Sequence, residues 1–175
     1  MAAAVKAILI SLIATAALFL LVHLAFFFPF YMTIVVETFN LANVAANDNY
    51  VKYEYWRNSL DDLQNRPMFS KAWDIKQDCI VIEAKKGARD ENYGSAIGYA
   101  GESGTDFYYD EEGWADQDKP YRQRGFPVTV TVSASYPFEV SMWGRTVTRL
   151  WPVSFSITTI GLKYSKDLEY DYLYD

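Results

Sequence analysis

The 175-residue chain holds one histidine, His23, and one cysteine, Cys79. Nucleophilic catalysis of the Ser–His or Cys–His kind needs a base within hydrogen-bond reach of its nucleophile. His23 lies inside an apolar stretch, so the polar part of the chain has no such base. A histidine in that setting can serve a pore or a proton relay; the expectation here is a neutral imidazole bonded to a neighbouring helix. Cys79 has no second cysteine to pair with, and beside Ile80, Val81 and Ile82 it reads as a small buried hydrophobe. Zinc and iron–sulfur chemistry lack a ligand set. The acids Asp106, Asp110, Glu111, Glu112, Asp116 and Asp118 invite calcium. The Asp-x-Asp-x-Asp-Gly spacing with its distant Glu is missing, however, so they read as a solvated acidic loop. No glycine-rich phosphate loop, Gly-x-Ser-x-Gly elbow or Cys-x-x-Cys-His haem motif occurs. Carboxylates are too frequent to single out a hydrolytic pair. The expectation is therefore no enzyme, no cofactor and no metal.

The elements that would position any site divide sharply. Residues 7–36 contain no Asp, Glu, Lys or Arg, and about 20 apolar residues suffice to cross the hydrocarbon core of a bilayer. The run is longer than the roughly 7–15 residues of a signal-peptide core, which favours an anchor over a removable signal. Lys6 precedes it and Glu37 and Asp48 follow it, a flank pattern that puts the N-terminus inside and the C-terminal part outside. Pro29 removes one backbone donor and is expected to kink the helix near Ala25. Of the 16 basic residues all but Lys6 follow residue 36, as do all 22 acidic ones, so that part carries 15 − 22 = −7. Such a balance argues against a nucleic-acid partner, which needs clustered cations to displace counterions.

Beyond residue 36 the chain stays free of Gly and Pro until Pro67, with Tyr53, Trp56, Leu60 and Leu63 on one helical stripe. One long helix is expected through residue 66, stopping at the residue before proline. The period then becomes two. Residues 79–84 read as a short strand. Val128, Val130 and Val132 alternate with Thr129, Thr131 and Ser133, and Val153, Phe155 and Ile157 repeat the device. These are half-buried antiparallel strands, joined over 137–151 by a long hairpin connection with room for extra pairing. The stripe Tyr53, Trp56, Leu60 and Leu63 would cover one sheet face, meeting Val130 and Phe155. The fold class is α+β: a transmembrane helix over 1–36, an amphipathic continuation over 37–66, and a strand-rich head over 67–175. The head carries a long loop at 85–125. The tail, with Tyr170, Tyr172 and Tyr174 between acids, reads equally as a partner-contacting strand or a solubilising end.

An apolar helix running into an amphipathic one and capped by an antiparallel sheet resembles the type IV pilin plan. The runs Phe126-Pro-Val-Thr-Val-Thr-Val-Ser-Ala-Ser-Tyr-Pro-Phe138 and Pro152-Val-Ser-Phe-Ser-Ile-Thr-Thr-Ile-Gly161 are similar to the strand pairs of TadE-like pilins of tight-adherence systems. The resemblance implies a structural subunit held in the membrane before assembly and packed with its copies in a filament core afterwards. Ala7, Ala14, Ala17, Leu20, Phe27 and Pro29 would lie in that core, and a pilus or secretion machinery would handle it. Pro29 sits near where pilin helices often melt. The chain departs from the commonest pilins in lacking a Gly cleavage site and a Glu five residues after it, since Met1-Ala-Ala-Ala-Val-Lys6 offers neither. In lipid, such helices associate through small residues; in water, burial at about 25 cal/mol per Å2 would hold them together. The alternatives are a bitopic membrane component of a pilus, secretion or conjugation complex that binds a protein partner, and an extracellular module binding a ligand through the Gly/Tyr/acidic loop.

Overall fold

The computed structural model describes residues 2–91, 95–98, 125–142 and 144–162. The acids of 106–118 and the tyrosine-rich tail lie outside them. The chain is α+β: three helices, α1 (Ala2–Asp48), α2 (Tyr53–Asn65) and α3 (Pro67–Ile75), with five strands, β1 (Val51–Lys52), β2 (Ile80–Lys86), β3 (Ile97–Gly98), β4 (Pro127–Met142) and β5 (Arg145–Ile160). An antiparallel sheet runs in the order β2-β4-β5, and β1 pairs in parallel with β3.

The alternation read from the sequence places the sheet's buried face. Ile80, Ile82 and Ala84 are buried across from Ala134, Val132 and Val130, and Val130 and Val132 stand opposite Ile157 and Phe155 on the other side. On the opposite face the hydroxyls pair across strands, Thr129 with Thr158 at 2.9 Å and Thr131 with Ser156 at 2.8 Å. Thr129 also donates to the Gly87 carbonyl, so Thr158 must be the donor in their pair.

The covering layer differs from expectation. Phe30, Ile34, Thr38, Leu41 and Ala45 recur at helical spacing and are all buried, so the second half of α1 itself lies on the sheet. Each large apolar side chain buried there contributes roughly 1.5–3 kcal/mol. The stripe on α2 packs beside the β2 edge instead: Leu63 is fully buried, Trp56 and Leu60 are half-buried against the core, and the Trp56 indole donates to the Ile82 carbonyl at 2.9 Å. Tyr53 stacks on Trp56.

The single helix expected through residue 66 is broken at 49–52. Asn49 adopts φ 65°, a left-handed conformation that asparagine tolerates better than most residues and that ends helices. The Leu162 amide donates to the Ala46 carbonyl at 2.7 Å, satisfying a group that the helix end leaves open. Gly161 is required for this approach, because a Cβ there would stand 2.4 Å from the Asn49 side-chain oxygen. The break is tied down: the Val51 amide donates to Ala96, and the Ala96 amide to Ala84 of β2, both at 2.8 Å. Asn49, Tyr50 and Val51 are all buried. Pro67, read from sequence only as a stop, also starts α3, sitting at the first helical position where its missing N–H costs nothing.

The link expected over 137–151 is paired strand up to Met142 and again from Arg145. The register Met142↔Arg145 leaves two residues for the turn, and Gly144 takes φ 75°. Pro137 and Pro152 do not interrupt the ladder. The Ser135 amide points away from β5 to the Cys79 carbonyl, so the Ser135↔Pro152 pair is not hydrogen-bonded between β4 and β5. Pro137 shares the parity of Ser135, and both proline nitrogens therefore face open edges.

Candidate functional site

Two surfaces meet along the first half of α1. One is the helix itself, which is the single described helix long and apolar enough to cross a membrane, with a mean hydropathy of 2.5 in its most apolar window. Up to Phe28 nearly every side chain is exposed, including Ala7, Ala14 and Ala17, with Leu12 at 69 %, Leu20 at 66 % and Phe26 at 65 %. Ser11 and Thr15 turn their hydroxyls back onto the carbonyls of Ile8 and Ser11, which leaves their side of the helix apolar as well as small. Pro29 is exposed and lies inside the continuous helix, and the Thr33 hydroxyl bonds to its carbonyl at 2.9 Å.

The other surface is the end of the β4–β5 hairpin. Past Ser135, β4 has no β2 partner, so residues 136–151 form a two-stranded arm lying along α1. Tyr136 meets Phe27 and Phe30 edge-on, and Phe138 lies 4.2 Å from the His23 ring and 5.8 Å from Phe19 by centroids. The Tyr136 hydroxyl donates to the His23 carbonyl at 3.4 Å, and burial pushes that phenol above its ordinary pKa. His23 Nε2 stands 3.1 Å from the Glu139 carbonyl. A carbonyl only accepts, so Nε2 is the donor, and Nδ1 is buried with no hydrogen-bond partner among the described residues. The partner of His23 is thus a strand of the arm rather than the neighbouring helix expected from sequence.

A tether on the arm's opposite face joins it to the head. The Lys71 ammonium of α3 pairs with the Glu139 carboxylate, which also accepts from Thr148 at 3.3 Å. The Lys71 hydrogen bond holds that carboxyl below its usual range, against a smaller opposing effect of burial. Two open apolar grooves flank the arm. One, of about 540 Å3, lies between Leu20, His23, Leu24 and Phe27 and the arm's Phe138 and Trp151. The other, of about 570 Å3, brings Ile8, Leu12, Thr15 and Phe19 to Val140 and Ser141. No group of three or more His, Cys, Asp or Glu that could hold a metal occurs among the described residues. Burial raises the Cys79 thiol, which makes it a poor nucleophile.

Of the residues singled out from sequence, Ala7, Ala14, Ala17 and Leu20 come together on the exposed rod, and Phe27 is half-buried under Tyr136. Leu63 and Val130 are core, with Trp56, Leu60 and Phe155 at its margin. Sequence reading missed Tyr136, Phe138 and Trp151 as contacts of the rod. The signal was present: Tyr136, Phe138 and Val140 continue the alternation of Val128, Val130 and Val132 across Pro137. Compared with known proteins, the sequence matches no family model and no curated protein, and the fold matches no solved structure.

Proposed function

We propose that this chain is a pilin-like structural subunit, anchored in a membrane by the first half of α1 and assembled through that same surface into an extracellular filament with the acidic head outward. The observation that carries this reading is the continuity of one helix. Its exposed apolar half runs without a break into a half that buries one stripe, Phe30, Ile34, Thr38, Leu41 and Ala45, against the head's sheet, so lateral packing of rods fixes the position of heads. The rod is too apolar to stay bare in water: exposed large hydrophobics succeed one another from Val5 to Phe28, far beyond the patch a soluble monomer shows. Lipid before assembly and copies of the rod after it are the two environments that cover it on every side.

Shearing cells that make the protein tests this directly. The polypeptide is expected to leave the surface in high-molecular-weight fibres. Retention with the membrane fraction in a fibre-producing strain would replace the filament by a bitopic component of a pilus, secretion or conjugation complex. Protease added to intact cells should digest the chain beyond Glu37; full protection would reverse the orientation.

A further inference from the structure

We propose that the hairpin arm and the lipid bilayer are exclusive occupants of one face of α1, so that the arm is a latch, open while the rod is in a membrane and closed on it once the rod leaves. This rests on the reading that the rod is membrane-anchored before assembly. The conflict is one of length. The arm covers α1 from Phe30 back to Phe19 through ring contacts, and Val140 and Ser141 share a groove with Thr15 and Ala16. That groove also reaches Ser11, Leu12 and Ile8, so the helix clear of the closed arm is residues 3–7, about 8 Å at 1.5 Å per residue. A bilayer's hydrocarbon is about 30 Å thick. With the arm lifted, residues 3–28 become available, about 39 Å, which spans it with room for tilt.

The arm cannot follow the helix into hydrocarbon. It is a two-stranded ribbon with two open edges, since among the described residues β4 beyond Ser135 and all of β5 have no outer partner. Open edges leave backbone amides and carbonyls unsatisfied, which lipid does not tolerate. Glu139, Arg145 and Arg149 add charge, and Glu139 is paired with Lys71 of the head. In water the preference reverses. Phe138 and Tyr136 cover His23 and Phe27, and Phe19 is 38 % exposed where its neighbour Leu20 is 66 % exposed. The closed arm is held on the helix by one hydrogen bond to His23 Nε2, one to its carbonyl, four aromatic contacts and the apolar lining of the two grooves, and to the head by the Lys71–Glu139 pair. Opening it uncovers Tyr136 and Leu150 at the margin of the core and leaves in place Val128, Val130 and Val132, which lie on the other side of Ser135.

Two cysteines across the second groove, Ala16→Cys with Val140→Cys in a Cys79→Ala background, report the latch by oxidative cross-linking. A separate Leu9→Cys variant reports insertion by its protection from a membrane-impermeant maleimide. Full-length protein is synthesised in a cell-free system with and without phosphatidylcholine vesicles. Expected are ready cross-linking without lipid, at least a tenfold drop in vesicles, and protection of Cys at position 9 there. Equal cross-linking in vesicles with position 9 protected overturns the latch and leaves the anchor standing. Labelling of position 9 in vesicles removes the anchor and the latch with it. Absence of the cross-link in both conditions overturns the latch, because the arm then never lies on the helix.

Discussion

The two halves of α1 are both apolar and differ in fate. Residues 3–28 and 30–45 are both rich in Ala, Leu, Val and Phe, yet the first half is exposed and the second, at Phe30, Ile34, Leu41 and Ala45, is core. Apolar content decides that a helix leaves water but not what it leaves water for. In the second half the sheet supplies the partner; in the first only the narrow arm does. The same residue type therefore stabilises the head in one half and stays exposed in the other.

Phe30→Ala should break that contrast most strongly. Phe30 is fully buried, stacked on Phe69 at 4.4 Å, and its loss is expected to cost the head about 3–5 kcal/mol. Phe26→Ala, four residues earlier, should change it by less than about 0.5 kcal/mol. Urea unfolding of the detergent-solubilised protein, followed by tryptophan fluorescence, compares the two; equal losses would dissolve the distinction between the halves. Next in size is Gly161→Ala, which drives a Cβ into the buried Asn49 side chain where α1 ends. A loss of about 1–3 kcal/mol is expected in the same assay, and a neutral result would mean the helix end does not depend on that approach.

Smaller still is Phe138→Ala, which removes the ring facing His23 and Phe19. It should leave the urea midpoint of the head within about 1 kcal/mol while raising amide exchange over 136–150 several-fold, sharpening the division between head and arm. Acidification gives the smallest effect. The Glu139 carboxyl is depressed in the folded chain, so its pairing with Lys71 contributes fully above the unfolded value, about 4.3 for Glu. That contribution is lost as the pH falls through the lower folded value. Arm exchange should rise over that window in the wild type and stay flat in Glu139→Gln; a pH-dependent Glu139→Gln profile would assign the tether elsewhere.

The sheet was legible in sequence because period-two alternation reports which side of a strand is dry, and Val128, Val130, Val132, Val153 and Phe155 keep to it. The anchor-like helix was legible from length alone. The burial of α1's second half went unread although Glu37, Asn40, Asn43 and Asn47 mark its wet side and Ile34, Leu41 and Ala45 its dry one, because the stripe on Tyr53, Trp56, Leu60 and Leu63 was given the sheet instead. Its end at Asn49 was hidden because asparagine is also tolerated inside helices, and it is fixed there by residues distant in sequence, Leu162, Gly161 and Ala96. Pro137 and Pro152 disguised the arm as a loop: a proline stops a strand only where its nitrogen must donate, and that depends on which neighbour the edge faces. For His23 the partner lies 116 residues away in sequence, beyond the reach of any local pattern.

The closure between Leu162 and Ala46 has a mechanical side. Helix α1 runs parallel to β5, with the rod's free end at the hairpin tip and its other end fastened where β5 finishes. Tension applied to the rod thus drags the helix lengthwise across the sheet, loading Phe30, Ile34, Leu41 and Ala45 together in shear instead of peeling them one at a time. Pulling residue 3 against Leu162 in a force-clamp instrument should accordingly give one high-force rupture, where a staircase of small steps would mean the layer unzips.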